Sequence, residues 1–214
     1  MKEIRLTLIG DGSSDKALIH VVKWLADDLF PKVPNKITYA DFRHLHRPPR
    51  KEDVKGQLDC AKEYYPYDLL IYHRDAESNH INRVSERKTE IFKSLENIDS
   101  NCVVCIVPVK MMETWLMINK EAIKKAAGNR NYSNDLVLPA VNRLEKYTAP
   151  KEKLHELLKE VCGLKGRRLK TFNVHQAVHL VAENIEDYSI LRNLDAFKIF
   201  EKDLEEKLAI LIQL

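Results

Sequence analysis

Ile4-Arg-Leu-Thr-Leu-Ile9, followed at once by Gly10-Asp-Gly-Ser-Ser-Asp15, decides how the rest of the chain is read. The short aliphatic run predicts a buried strand, and two glycines then bracket an acid where the chain must turn. Ser13, Ser14 and Asp15 offer an N-cap, and Leu18, Val21, Val22, Leu25 and Leu29 fall on one face of a helix. Strand, tight turn and amphipathic helix together open an alternating α/β fold.

The alternation continues along the first half. Pro31 and Pro34 stop the helix, and Ile37 to Phe42 is a candidate second strand. Arg43 to Lys51 is a basic loop in which Pro48 and Pro49 forbid regular structure. Asp53 caps a helix carrying Val54, Leu58 and Ala61. Asp68-Leu-Leu-Ile-Tyr-His-Arg-Asp75 is a third strand, and Cys102 to Val107, stopped by Pro108, a fourth. A helix with Val84, Ile91 and Leu95 lies between them, and another is expected over Met111 to Ala127, ended by Gly128. The last two strands are near-continuous apolar runs, as expected where helices cover both faces of a parallel sheet. From 129 onward no strand is predicted. Helices are expected over Leu136–Tyr147, Lys151–Val161, Val174–Asn184 and Ser189–Leu211. The expectation is an α/β core over 1–128, a four-stranded mostly parallel sheet flanked by helices, with an all-helical extension over 129–214 packed on it.

Composition excludes several classes. With 44% hydrophobic and 31% charged residues and only 6 Gly, the chain is neither disordered nor collagen-like. A net charge of +3 announces no nucleic-acid binder, so such a function must rest on local clustering. No signal peptide or run of about 20 apolar residues is seen, and a cytoplasmic location without membrane contact is expected. The Cys102-x-x-Cys105 pair lies in a strand, where positions i and i+3 face opposite ways, so both read as core cysteines of a reducing compartment.

The acids carry the functional signal. Asp11 follows the first strand, Asp75 and Glu77 the third, and Glu113 the fourth. In a parallel sheet all strand carboxyl ends share one edge, where ligands bind at the point of strand-order reversal. Carboxylates gathered there with few paired cations favour a hard dication, Mg²⁺ or Mn²⁺, which stabilises phosphoryl oxygens and activates water. Asp75 and Glu77, at i and i+2, leave the same side if the strand stays extended. His73 and His80 flank the acids as proton-transfer candidates or plain polar neighbours. Gly10-x-Gly12-x-x-Asp15 lacks the third glycine of a dinucleotide loop, and no P-loop is present. His44 and His46 sit among arginines that oppose a zinc ion.

Three segments resemble a known family. Ile9-Gly-Asp-Gly-Ser-Ser-Asp15 resembles the Toprim first motif, and Ile71-Tyr-His-Arg-Asp-Ala-Glu77 its Asp-x-Asp second motif. Pro108-Val-Lys-Met-Met-Glu-Thr-Trp-Leu116 is similar to the Glu-x-Trp-Leu stretch of a bacterial branch of Toprim-like proteins, close to the overcoming-lysogenization-defect nuclease domains. Leu191-Arg-Asn-Leu-Asp-Ala-Phe-Lys-Ile-Phe200 is similar to that branch's helical tail. The resemblance implies strand order 2-1-3-4 and Mg²⁺ (or Mn²⁺) held by Asp11, Asp75 and Glu77, with Glu113 as a further ligand or water-positioning group. It implies a metal-dependent nuclease cutting DNA or RNA in phage defence, beside an ATPase partner. Two positions depart from the family pattern: Asp11 stands where Glu is usual and Glu77 where Asp is usual. Those departures motivate a second expectation, a module that binds nucleic acid or the ATPase without cutting. A small-molecule phosphohydrolase is a third.

Basic residues form three clusters: Arg43 to Lys51, Arg83 to Lys88, and Lys165 to Lys170. Arg47, Arg50, Arg83 and Arg87 are the candidates for backbone contact, because their segments should open onto the same edge as the acids.

Overall fold

The computed structural model describes residues 3–50, 53–95 and 100–213. Strands β1 (Ile4–Ile9), β2 (Asn35–Tyr39), β3 (Leu69–His73) and β4 (Val103–Ile106) form one parallel sheet in the order β2-β1-β3-β4. This is the order expected above. The register sets Leu8 beside Tyr39 and Ile71, and Tyr72 beside Cys105. Every residue of β3 and β4 is buried, as their unbroken apolar sequences require, whereas the edge strand β2 is half-exposed.

Helices α1 (Leu18–Leu29), α2 (Val54–Tyr64) and α3 (Asn82–Lys93) connect the strands. Asp53 caps α2 through its carboxylate, which accepts the Gly56 N–H at 2.8 Å. On the α2 side of the sheet the Tyr72 hydroxyl donates to Gln57 Oε1 at 2.7 Å, so the one polar atom on this buried ring has a partner. The second half contains α4 (Lys120–Ala126), α5 (Val141–Leu144), α6 (Pro150–Val161), α7 (Gly166–Lys170), α8 (Val174–Asn184) and α9 (Asp195–Gln213). One buried apolar cluster runs from Ile4 to Leu208 across position 128. Helix α8 packs on α4, α1 and the turn after β1, and α9 packs along β4. No helix among the described residues is long and apolar enough to cross a membrane.

Several boundaries move. The second strand starts and ends earlier than Ile37–Phe42, because Asp41 and Arg43 pair locally and wind residues 42–44 into a 3-10 turn. The helix expected over Met111–Ala127 is broken: Met112–Trp115 is a 3-10 turn, and Asn119 caps a separate α4 through its side chain. Leu136–Tyr147 holds only the single turn of α5, since Pro139 stops a helix from starting earlier. Ser189–Asn193 is likewise a 3-10 turn ahead of α9. Cys105 is buried and Cys102 half-buried, and neither is in a disulfide.

Candidate functional site

The turn after β1 is built around a close approach. A Cβ on Gly10 would stand 2.6 Å from the Asp15 Cβ, so only glycine lets Asp15 fold back against the strand end. Asp15 is then buried, and its carboxylate accepts the Gly12 N–H at 3.0 Å and the Ser14 hydroxyl at 3.2 Å. The capping reading is thus half of its role. The other half is His73, at the end of β3, whose Nδ1 lies 3.2 Å from Asp15 Oδ2 and whose Nε2 lies 3.3 Å from Asp75 Oδ1. These distances exceed the 2.7–2.9 Å of an aligned charge-assisted hydrogen bond, so the attraction is chiefly ionic.

His73 is 1% exposed. Burial alone would disfavour its charged form, but Asp15 and Asp75 outweigh that and push its pKa up to about 10. Burial likewise opposes ionisation of Asp15, yet His73, the Gly12 N–H and the Ser14 hydroxyl hold its pKa below the ordinary value. Buried Asp15 and His73 therefore join half-buried Asp75 in an Asp15–His73–Asp75 chain with the proton on the imidazole.

Asp75 reaches further. Its Oδ1 accepts the Met112 N–H at 2.9 Å and so ties the β3 end to the turn after β4. That turn carries Glu113, 3% exposed, whose pKa is raised first by burial and then by Asp75 and Asp15. Two residues on, fully buried Trp115 meets Phe197 edge-on at 5.2 Å and stacks on Phe200 at 6.1 Å. The helical half thereby fixes the turn that holds Glu113.

Beyond the strands the two loops stay joined. Ala76 N–H donates to Pro108 O at 3.1 Å, Glu77 N–H to Lys110 O at 3.0 Å, and Lys110 N–H to Ser78 O at 2.9 Å. Glu77 (φ 55°) and Lys110 (φ 64°) both adopt the left-handed conformation. Non-glycine residues held there store strain, and such residues cluster at functional sites. No sequence signal marks this pair.

The four acids singled out from sequence are divided by the sheet. Strand alternation puts Arg74 on the face opposite His73 and Asp75. Arg74, not Asp75, is the acid-pairing residue on that face: its Nε lies 3.5 Å from Asp11 Oδ1. Asp11 faces an open cleft lined by Tyr39, Arg43, Pro48, Pro49 and Gln57. The positive φ of Glu77 breaks the extended geometry that would have set it beside Asp75. Its side chain is 75% exposed and meets Arg87 at 3.2 Å. Asp75 and Glu113 remain together on the buried side. The expectation of acids with few paired cations is therefore corrected: Arg74, His73 and Arg87 face Asp11, Asp75 and Glu77 respectively. Among the described residues no three Asp, Glu, His or Cys side chains converge as a metal cage.

The basic clusters also differ. Arg83 pairs with Glu86 and Glu90, and Arg87 with Glu90 and Glu77. Arg47 and Arg50 are exposed, Arg50 beside Pro48 and Pro49 at the cleft mouth. Lys51 lies outside the described residues. His44 meets the Tyr65 hydroxyl at 3.2 Å, and His80 is exposed. No family model, no curated protein and no solved structure matches the chain.

Proposed function

We propose that this chain is a divalent-metal-dependent phosphodiesterase acting on DNA or RNA. The observation that carries the reading is the adjacency of β1 and β3 in a sheet whose order reverses between them, so that Asp11 and Asp75 leave neighbouring strand ends at the switch point. The strained Glu77–Lys110 loop pair at the same edge and the resemblance to Toprim-like motifs support it.

By donor chemistry, Asp75 and Glu113 fit a hard cation. Glu113 is buried near two other acids, a cost that a bound dication relieves. Asp11 leaves the neighbouring strand end on the other face, beside Arg74, and Glu77 turns away to Arg87. Mg²⁺ or Mn²⁺ there supplies charge for phosphoryl oxygens and an activated water. His73 holds Asp15 and Asp75 in place, and the Met112 N–H fixes which Asp75 oxygen faces inward. Glu113 is alternatively the group that positions the attacking water, a role that its raised pKa suits only while it is not itself a ligand.

The test incubates the protein with plasmid and with single-stranded RNA, plus Mg²⁺ or Mn²⁺, beside Asp75→Ala and Glu113→Gln. Cleavage by the wild type that both variants lose is expected. No cleavage, or equal cleavage by all three, overturns the reading as sited. A second reading is favoured by the cations already facing Asp11, Asp75 and Glu77: a module that binds nucleic acid, or an ATPase partner, without cutting it. It predicts binding without cleavage under every metal tried.

A further inference from the structure

Among the described residues, the third basic cluster keeps every one of its charges open, whereas Arg43 of the first pairs with Asp41 and leaves Arg47 and Arg50 exposed. Lys165, Arg167, Arg168 and Lys170 are all exposed, and none has a carboxylate within ion-pair distance among the described residues. No Asp or Glu falls anywhere between Glu160 and Glu183. In contrast, Arg83 and Arg87 spend their charge on glutamates of their own helix and on Glu77.

The open charges sit at the end of a path that leads back to the sheet edge. From Lys170 to His175, at the start of α8, is five residues, at most about 17 Å. The His175 ring meets His155 of α6 at 5.3 Å, edge to face. On α6, Lys151, His155 and Lys159 are spaced i, i+4, i+8 and share one stripe. One turn along α8, about 6 Å on, His179 lies near the backbone of Ser13, in the turn that carries Asp15. Lys16 and His20 border it from α1 and the turn before. Cations and imidazoles thus run from α7 to the strand ends; α7 and α8 bear no acid before Glu183, and the acids beside the path are Glu152 near His155, Asp15 near His179 and Glu183 near His20.

We propose that α7 and the first turns of α8 form a track for the sugar–phosphate backbone of a nucleic acid, leading the polymer to the strand-end site. Guanidinium forks recognise phosphate oxygens in pairs, which suits Arg167 and Arg168. An anionic membrane is the poorer fit: no exposed large apolar residue lies between 163 and 179 to enter a lipid surface. The proposal rests on the phosphodiesterase reading for the identity of the polymer, yet its test is independent of cleavage.

Binding of a labelled DNA duplex and a labelled single-stranded RNA is measured in EDTA, by fluorescence anisotropy, across about 50–200 mM salt. The triple variant Arg167→Ala/Arg168→Ala/Lys170→Ala is compared with wild type and with Lys23→Ala/Lys198→Ala/Lys202→Ala, which removes three lysines already paired with acids. Circular dichroism and Tm confirm that both variants fold. For the α7 variant, affinity at low salt should fall roughly 10- to 100-fold and the slope of log K against log salt should shrink by about 2–3, near 0.7–0.9 per lost phosphate contact. The control should keep the wild-type slope to within about one contact. An unchanged slope for the α7 variant, an equal loss in the control, or no binding by the wild type overturns the proposal. So does a loss confined to vesicles containing anionic lipid, run as a parallel arm. Because no metal is present, a failed cleavage assay and a failed binding assay are separate results.

Discussion

On one face of the sheet edge Asp11 meets Arg74 beside an open cleft. On the other, Asp15 and Asp75 grip His73 in the interior, with Glu113 alongside. Both faces pair acids with a cation, but Asp15 and His73 are shut from water, whereas Arg74 (21% exposed) and Asp11 (24%) are half-buried and lie between the exposed and buried limits. An exposed ion pair contributes about 0–1 kcal/mol, whereas removing one partner of a buried one costs about 3–5 kcal/mol because the other charge is left stranded. Packing fixes the Asp15–His73 pair, whereas the Asp11–Arg74 pair keeps partial contact with the solvent of the cleft.

The largest test of this contrast is His73→Ala. It should destabilise the fold by about 3–5 kcal/mol, read from urea denaturation, since two carboxylates lose their common cation. The effect also has a pH signature. The folded pKa of about 10 lies above the ordinary 6.5, so the stabilisation is complete below pH 6.5 and is lost as pH rises toward 10. A gap between wild type and variant that stays constant over that window breaks the claim that the proton is what binds the three residues.

Gly10→Ala comes next. The added methyl collides with Asp15 Cβ and the turn must shift, at a cost of about 1–3 kcal/mol. A silent substitution would show that Asp15 can leave the interior cheaply.

Glu113→Gln should act in the opposite direction. Its folded pKa lies above the ordinary 4.5, so the ionised carboxylate is a cost at neutral pH. The variant should melt above the wild type at pH 7, and the difference should close as pH falls below 4.5. A residue that weakens the fold where it stands is what a functional site retains. Asp11→Asn, which weakens a half-buried pair but leaves no fully buried charge stranded, should cost about 1–2 kcal/mol, less than His73→Ala. A larger loss would mean that the two faces are not as different as their burial suggests.

The strands were legible because their apolar runs are nearly unbroken. β1 is Ile4–Ile9 as read from sequence, and β3 and β4 lie within their expected spans. Acids after strands were legible too, since a parallel sheet collects its carboxyl ends at one edge. Their division between two faces was not, because it depends on where the strand stops alternating, and Glu77 enters a left-handed turn with no glycine to announce it. Asp15 read as a cap because its second partner, His73, is remote in sequence. The paired state of Arg83 and Arg87 could be suspected from Glu86 and Glu90 at i+3, but their tie to Glu77 belongs to the folded loop.

By itself the sequence determined a parallel α/β sheet, a helical second half and the edge at which the acids gather, since hydrophobic period and turn residues act locally. Only the tertiary structure decided which acids are buried, which cation each one faces, and that α9 anchors the Glu113 turn through Trp115. The reason is physical: burial and charge pairing depend on long-range packing, and packing is what converts a row of similar carboxylates into one half-buried pair, one clamped chain and one acid disfavoured by its own burial.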